Sequence, residues 1–259
     1  MREKIGDPRI DWKELALSLQ KYRRKTVSLD RDADVVYLRE MSIAEAGIGC
    51  AVWDAAIILA RWFNTHSSLL EGLSVLELGA GVGLPGIVCA RFASRVILSD
   101  YIPKLVENLD YNIKTNSNLD IEEGSFDLKK NVSESAAVAL LDWHELDEES
   151  KDEILLKNHG NRFDIVFGSE LVYTADEEHI KCLVRVVKRY IGERGVFYSI
   201  QSTDRDGMPI LIKLLREEGF TVEVRPVDPK YCGEFGTKQR PESYEFYTAY
   251  LDGSPVIME

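Results

Sequence analysis

The spacing of apolar and polar residues changes character about a quarter of the way along the chain. Up to Asp34 the sequence is polar and charged; a short apolar piece, Val35 to Leu38, and a glycine-containing turn, Ala46 to Gly49, follow. Trp53 to Phe63 is then apolar on nearly all sides and long enough for about three helical turns, which predicts a buried helix. From Leu73 onward, short apolar runs alternate with amphipathic stretches. Strands are predicted at 73–79, 95–100, 136–143, 163–170 and 195–201, and helices at 84–93, 103–116, 176–190 and 208–220. Pro103 suits the first turn of its helix. The charged segment from His144 to Arg162 reads as a loop or surface helix. Runs that stay apolar throughout belong to strands covered on both faces, so the expected class is α/β: a Rossmann-like, mainly parallel sheet with helices on both faces. The last two strands, 221–227 and 243–251, have no helix between them and call for a C-terminal antiparallel hairpin. Residues 1–72 read as an N-terminal extension with a cover helix, and 73–259 as the core, within one unit.

Composition narrows the choice of class. With 259 residues, 45% hydrophobic and 29% charged, the chain has the make-up of a globular protein with a sizeable core. Its net charge of −12 opposes non-specific attraction to nucleic-acid phosphates and leaves only a local basic patch, Lys21 to Lys25. A protein or small-molecule partner is expected. No apolar run reaches the roughly 18 residues of a membrane helix, and the opening residues lack the apolar stretch of a signal peptide, so a cytoplasmic monomer is expected, with the nucleus as a second compartment. Cys50, Cys89, Cys182 and Cys232 are too scattered for a disulfide framework and form no C-x-x-C pair, so they read as packed, reduced thiols. His66, His144, His159 and His179 share no metal-ligand spacing; they read as solvated surface residues, and no metal is expected. His144 alone, next to Trp143, falls near the site described below.

Most of the chemistry is written around Val75 to Gly86. A strand runs into glycines and then a helix, which brings backbone amides to the carboxyl edge of the sheet. Two patterns overlap there. Gly81, Gly83 and Gly86 fit the dinucleotide fingerprint G-x-G-x-x-G, while Glu77, Gly79, Gly81 and Gly83 fit the E-x-G-x-G-x-G loop of S-adenosylmethionine-dependent methyltransferases. Asp100 ends the next strand, where a carboxylate can accept both ribose hydroxyls of an adenosine; a turn or helix-capping aspartate is the plain alternative. The third strand ends Leu141-Asp142-Trp143, an acid that can accept from an adenine amine and a ring that can cover the base, or else a core tryptophan beside a loop acid.

Taken in order, these segments resemble a class I, seven-strand methyltransferase, and more narrowly methyltransferase family 16, many of whose members are protein-lysine N-methyltransferases. The likeness spans about Gly47 to Gln201. It rests on WDAA (Trp53 to Ala56), LELGAGVGLPGI (Leu76 to Ile87), Ser99-Asp100, Leu141 to Trp143 and GSELVY (Gly168 to Tyr173). The resemblance implies S-adenosyl-L-methionine as cofactor, bordered by Trp53, Gly79, Ala80, Gly81, Asp100, Trp143 and Ser169. The acid-x-x-aromatic motif after the fourth strand is present as Glu170 to Tyr173, with Glu where the family commonly has Asp. It implies a catalytic role for Glu170 and Tyr173, orienting a neutral lysine amine of a protein substrate; the plain reading makes Glu170 a helix cap and Tyr173 packing beneath it. Enzymes that methylate the exocyclic amines of bases usually carry prolines at this place, and none is present. Three other classes stay open: a small-molecule or RNA methyltransferase, a nicotinamide-dependent oxidoreductase, and a non-catalytic binding module.

Overall fold

A computed structural model describes residues 22–29, 34–117, 132–146, 162–232 and 240–251. His159, Lys21, most of the charged segment after His144 and most of the loop after Cys232 lie outside them. The chain begins with an antiparallel ribbon of β1 (Arg23–Ser28) and β2 (Val35–Glu40), paired from Arg23 with Glu40 to Ser28 with Val35. Strand β1 was not expected, because the stretch is read as polar throughout. Of its six residues only Val27 is buried, so it carries no apolar alternation to betray it. Partnering by β2, whose Val36 and Leu38 face inward, supplies the rest.

A short helix α1 (Ile43–Ala46) and a tight turn, Gly47–Cys50, lead into α2 (Asp54–Thr65), the expected apolar helix. Its side chains enter the core: Trp62 and Phe63 pack on Tyr198, Phe63 on Phe167, and Trp62 on Phe246. The apolar runs that follow become β3 (Ser74–Glu77), α3 (Leu84–Cys89), β4 (Arg95–Asp100), α4 (Pro103–Ser117), α5 (Val132–Ser135), β5 (Ala136–Leu140) and β6 (Phe163–Ser169). They are succeeded by α6 (Glu177–Tyr190), β7 (Ile191–Ser202), α7 (Met208–Glu217), β8 (Thr221–Pro226) and β9 (Tyr244–Tyr250). Helix α6 is capped by Asp176, which accepts from Glu178 N–H; its first turn carries Glu177 and Glu178 and its last Lys188 and Arg189, each sign opposing the helix dipole.

Strands β3 to β9 form one seven-stranded sheet in the order β5-β4-β3-β6-β7-β9-β8. The first five strands are parallel, and β9 inserts antiparallel between β7 and β8. This is the expected α/β class with its C-terminal hairpin. Alternate residues of each central strand feed two cores. Val75, Leu98, Ile165 and Phe167 pack with α2, α3 and α4 on one face, and Leu76, Ile97, Val166 and Phe197 pack with α6 and α7 on the other. Strand β7 is longer than expected because Ile191 pairs with Phe163 through an irregular register, and Gly195 leaves room for the Phe163 carbonyl, which a Cβ would meet at 2.9 Å. The strand order turns outward on both sides of β3, so the carboxyl ends of β3, β4 and β6 border one crevice.

Candidate active site

Strand β3 stops at Glu77 because three glycines then take left-handed backbone angles: Gly79 (φ 58°), Gly81 (φ 55°) and Gly83 (φ 85°). The loop is pressed from above by the turn at Gly47–Cys50. A Cβ on Gly81 would stand 3.0 Å from the Gly49 carbonyl oxygen, so backbone lies directly on backbone. Glu77 is buried at the root of the loop and accepts from Gly86 N–H at 3.0 Å; burial holds its carboxyl well above the usual range.

Asp100 ends β4 beside this loop. Its Oδ2 accepts from Gly81 N–H at 3.0 Å and its Oδ1 from Ile102 N–H at 3.2 Å. Burial raises its pKa, and the amide hydrogen bonds pull the other way. A carboxylate has about four acceptor positions, so two backbone donors fix its plane and leave capacity for two hydroxyls. From β5, Asp142 accepts from His144 N–H at 2.9 Å, which turns the chain so that Trp143 lies over the loop, its Cζ2 3.8 Å from where a Gly79 Cβ would be. From the cover, Trp53 donates its indole N–H to the Ile48 carbonyl at 2.9 Å and remains 43% exposed.

The other wall comes from the end of β6. Glu170 is the only non-glycine with positive φ (52°) among the described residues. Its carboxylate accepts from Ser202 N–H at 2.7 Å and from Arg205 Nε at 2.7 Å, and also pairs with Arg205 Nη2. Asp176, not Glu170, caps α6. Beneath the loop a buried chain runs from Gln201 Nε2 to Ser199 Oγ (2.7 Å) and from Ser199 Oγ to the Gly168 carbonyl (2.8 Å), while Gln201 Oε1 accepts from Val172 N–H. The loop is therefore held firmly, and Tyr173 projects from it 47% exposed. Its ring lies 5.4 Å from that of His179, which also meets Trp143 at 5.6 Å and shares a 2.9 Å contact, Nδ1 to Nε2, with His144. Burial first, then His144, lowers the pKa of His179; burial first raises that of Tyr173. At neutral pH this is an uncharged imidazole beside an uncharged phenol.

One cavity thus gathers Trp53, Gly79, Ala80, Gly81, Asp100, Trp143, Ser169, Glu170 and Tyr173. Among the residues of its wall that reasoning from sequence missed are Arg205 and His179. Arg205 follows β7 and carries no motif. His179, read as a surface residue, is half-buried against Tyr173 and Trp143; its place one turn into α6, after the acid-x-x-aromatic motif, was the available signal. His144 lines the cavity while remaining exposed, and His66 bonds the Trp62 carbonyl far from it. Among the described residues no group of three or more His, Cys, Asp or Glu side chains is placed to hold a metal ion. No single helix among them is long and apolar enough to cross a membrane; α1 with its following turn and α2 pass that test only as a bent pair, and α2 is core.

The profile of a family described as lysine methyltransferase matches residues 30–216. The chain belongs to that family. Within curated relatives, it is 28% identical over 162 residues to the protein N-lysine methyltransferase METTL21A of Mus musculus, covering 62% of this chain and 64% of the relative. It is 40% identical over 79 residues to the histone-arginine methyltransferase METTL23 of Rattus norvegicus, covering 30% and 35%. The chain spans less than two thirds of either relative. Among solved structures, the 16S rRNA N2 G1207 methyltransferase RsmC of T. Thermophilus aligns with a TM-score of 0.58 and 16% identity over 89% of this chain and 51% of that one, a likeness of fold. The residues present fit S-adenosylmethionine. The glycine cradle leaves no side chain between loop and ligand, Asp100 has acceptor capacity for the ribose, and Trp143 offers a ring for the adenine.

Proposed function

We propose that this protein transfers a methyl group from S-adenosylmethionine to a side-chain amine of a protein, with lysine Nε as the acceptor. The observation that carries this reading is the single cavity in which a glycine cradle, a pinned carboxylate and two indoles face a wall of Tyr173, His179 and the Glu170–Arg205 pair. Bound S-adenosylmethionine supplies a methyl group on a positively charged sulfur. Asp100 holds the ribose, Gly79 to Gly81 let the ligand approach the backbone, and Trp143 and Trp53 exclude water from either side. On the acceptor side an amine reacts only after losing its proton. Tyr173 keeps its phenolic proton, so its oxygen can accept an amine N–H and leave the lone pair aimed at the cofactor, while the neutral His179 ring packs against Tyr173 and Trp143 and backs that wall. Glu170 serves this site from one step back: its carboxylate is engaged by Arg205 and Ser202, and fixes the loop from which Tyr173 projects. The four free, buried cysteines support a reducing, cytoplasmic setting.

The test is to incubate the protein with methyl-labelled S-adenosylmethionine and whole-cell extract, then locate the label by mass spectrometry. Label on lysine of one or a few proteins is expected. Label on arginine would reassign the acceptor, and label only on RNA or a small molecule would overturn the proposal.

A further inference from the structure

The N-terminal ribbon is joined to the core by asparagine amides. Asn108, Asn112 and Asn116 recur every fourth residue on α4, so they rise along one face of the helix, and all three are buried, at 0%, 0% and 7% exposure. Tyr37 N–H donates to Asn116 Oδ1 at 3.0 Å, and Asn116 Nδ2 returns a bond to the Tyr37 carbonyl at 2.7 Å. Arg39 N–H donates to Asn112 Oδ1 at 2.8 Å, and Asn108 Nδ2 bonds the Arg39 carbonyl at 2.9 Å. A primary amide offers one acceptor and one donor side, as a peptide does. The helix thereby stands in for a neighbouring strand at alternate residues of β2.

Asn112 differs from the other two in reaching onward. Its Nδ2 donates to the Val82 carbonyl at 2.9 Å, between the left-handed Gly81 and Gly83. The same loop presents Gly81 N–H to Asp100. A short path of hydrogen bonds therefore runs from Arg39 of the ribbon through one side chain to the cofactor loop, although no residue from Val35 to Glu40 lines the cavity. We infer that Asn112 is a positioning residue for the cofactor site, coupling the docking of the ribbon to the shape of the glycine loop, so that ribbon and cofactor stabilise each other. This rests on the reading that the loop holds S-adenosylmethionine. The coupling is reciprocal by linkage: what tightens the loop protects the ribbon, and what frees the ribbon weakens the ligand. Asn116 provides the internal control, since it makes the same kind of bond to β2 while its side chain bonds Tyr37 and its own helix rather than the loop.

The experiment is amide hydrogen exchange and calorimetry on the full chain with S-adenosylhomocysteine as probe. In the wild-type protein, the ligand should slow exchange at the Arg39 amide by about tenfold or more, as expected when an opening that frees β2 must also release ligand. Asn112→Leu should lose that protection and bind S-adenosylhomocysteine about tenfold more weakly, while Asn116→Leu, which loosens the same strand, should stay within roughly threefold of wild type. Unchanged exchange at Arg39 in a wild-type protein that binds the ligand would overturn the inference whether or not the variants fold. So would an equal loss of affinity in both variants, which would make the ladder a general support. A wild-type protein that does not bind S-adenosylhomocysteine would instead sink the cofactor reading beneath it.

Discussion

The sheet and the ribbon that covers it are stabilised by different means. In β3, β4 and β6 nearly every residue is buried and alternate side chains feed two apolar cores; besides the backbone ladder, the buried polar groups are concentrated at the carboxyl ends, in Glu77, Ser99 and Asp100. The ribbon buries a few apolar residues, Val27, Leu29, Val36 and Leu38, and is otherwise moored by polar side chains reaching out of the core. Arg91 bonds Asp34 and the Val35 carbonyl, both at 2.8 Å, Arg61 bonds the Ser28 carbonyl, and the α4 asparagines bond β2. Area burial is non-directional and tolerates small shifts, whereas these bonds hold one register and one only. The difference shows how an element can be fixed in place with little hydrophobic pattern of its own.

The largest effect that would sharpen this contrast belongs to the sheet. Phe167→Ala opens a fully buried site against Phe63 and should cost about 3–5 kcal/mol of global stability by denaturant titration, with ribbon and core unfolding together. A loss confined to the ribbon would break the contrast. Tyr173→Phe probes the edge where neither region's stability is at stake: turnover on the true substrate should fall roughly 10²-fold while melting temperature and cofactor affinity hold. Normal turnover would remove Tyr173 from the acceptor side. Arg91→Met should cost about 1–3 kcal/mol, because Asp34 and the Val35 carbonyl lose their donor. Its exchange signature should be local, with Val35 to Glu40 opening and β3, β4 and β6 retaining protection; a uniform loss would mean the ribbon is part of the cooperative core.

The smallest effect concerns pH. The Glu77 carboxyl is raised well above its usual range, by burial first, so the folded protein holds that proton more tightly than the unfolded chain. The stability it contributes is complete below the unfolded value of about 4.5 and is lost as pH rises through the folded pKa. Glu77→Gln keeps an acceptor for Gly86 N–H without the titration. Its melting temperature should therefore gain on wild type as pH climbs from about 5 to about 8, and parallel curves would show that Glu77 is ionised in the folded protein over that range, as it is in the unfolded chain.

How much of this was legible in the sequence follows the same divide. Strands β3, β4 and β6 are continuous apolar runs, and Gly79, Gly81, Asp100, Trp143 and Tyr173 stand at the ends of such runs, where the chain must leave the sheet at one edge. Periodicity marks that edge, and the glycine motif and the family resemblance pick these residues out along it. Strand β1 was invisible because it is held by its pairing with β2 and by Arg61, 33 positions from Ser28, while the asparagines that moor β2, one every fourth residue, read as an ordinary polar helix face until a strand is seen against them. The partner of Glu170 was hidden in the same way. Arg205 lies 35 residues on, and only the folded β7 end brings the two together. The close approach of the Gly49 carbonyl to Gly81 was equally out of reach, because the cover and the loop are 32 residues apart in the chain.

The central claim is that the crevice at the carboxyl ends of β3, β4 and β6 is an S-adenosylmethionine site organised by Asp100. Calorimetric titration of S-adenosylhomocysteine and, separately, NAD into wild-type protein and Asp100→Ala tests it most directly. S-adenosylhomocysteine should bind the wild type and NAD should not, and the variant, still folded though less stable for the loss of an acceptor to Gly81 and Ile102, should lose affinity by about tenfold or more, the scale of charge-assisted hydrogen bonds removed from a ligand. Binding of NAD in preference, or unaltered affinity for S-adenosylhomocysteine in a folded Asp100→Ala protein, would contradict the account.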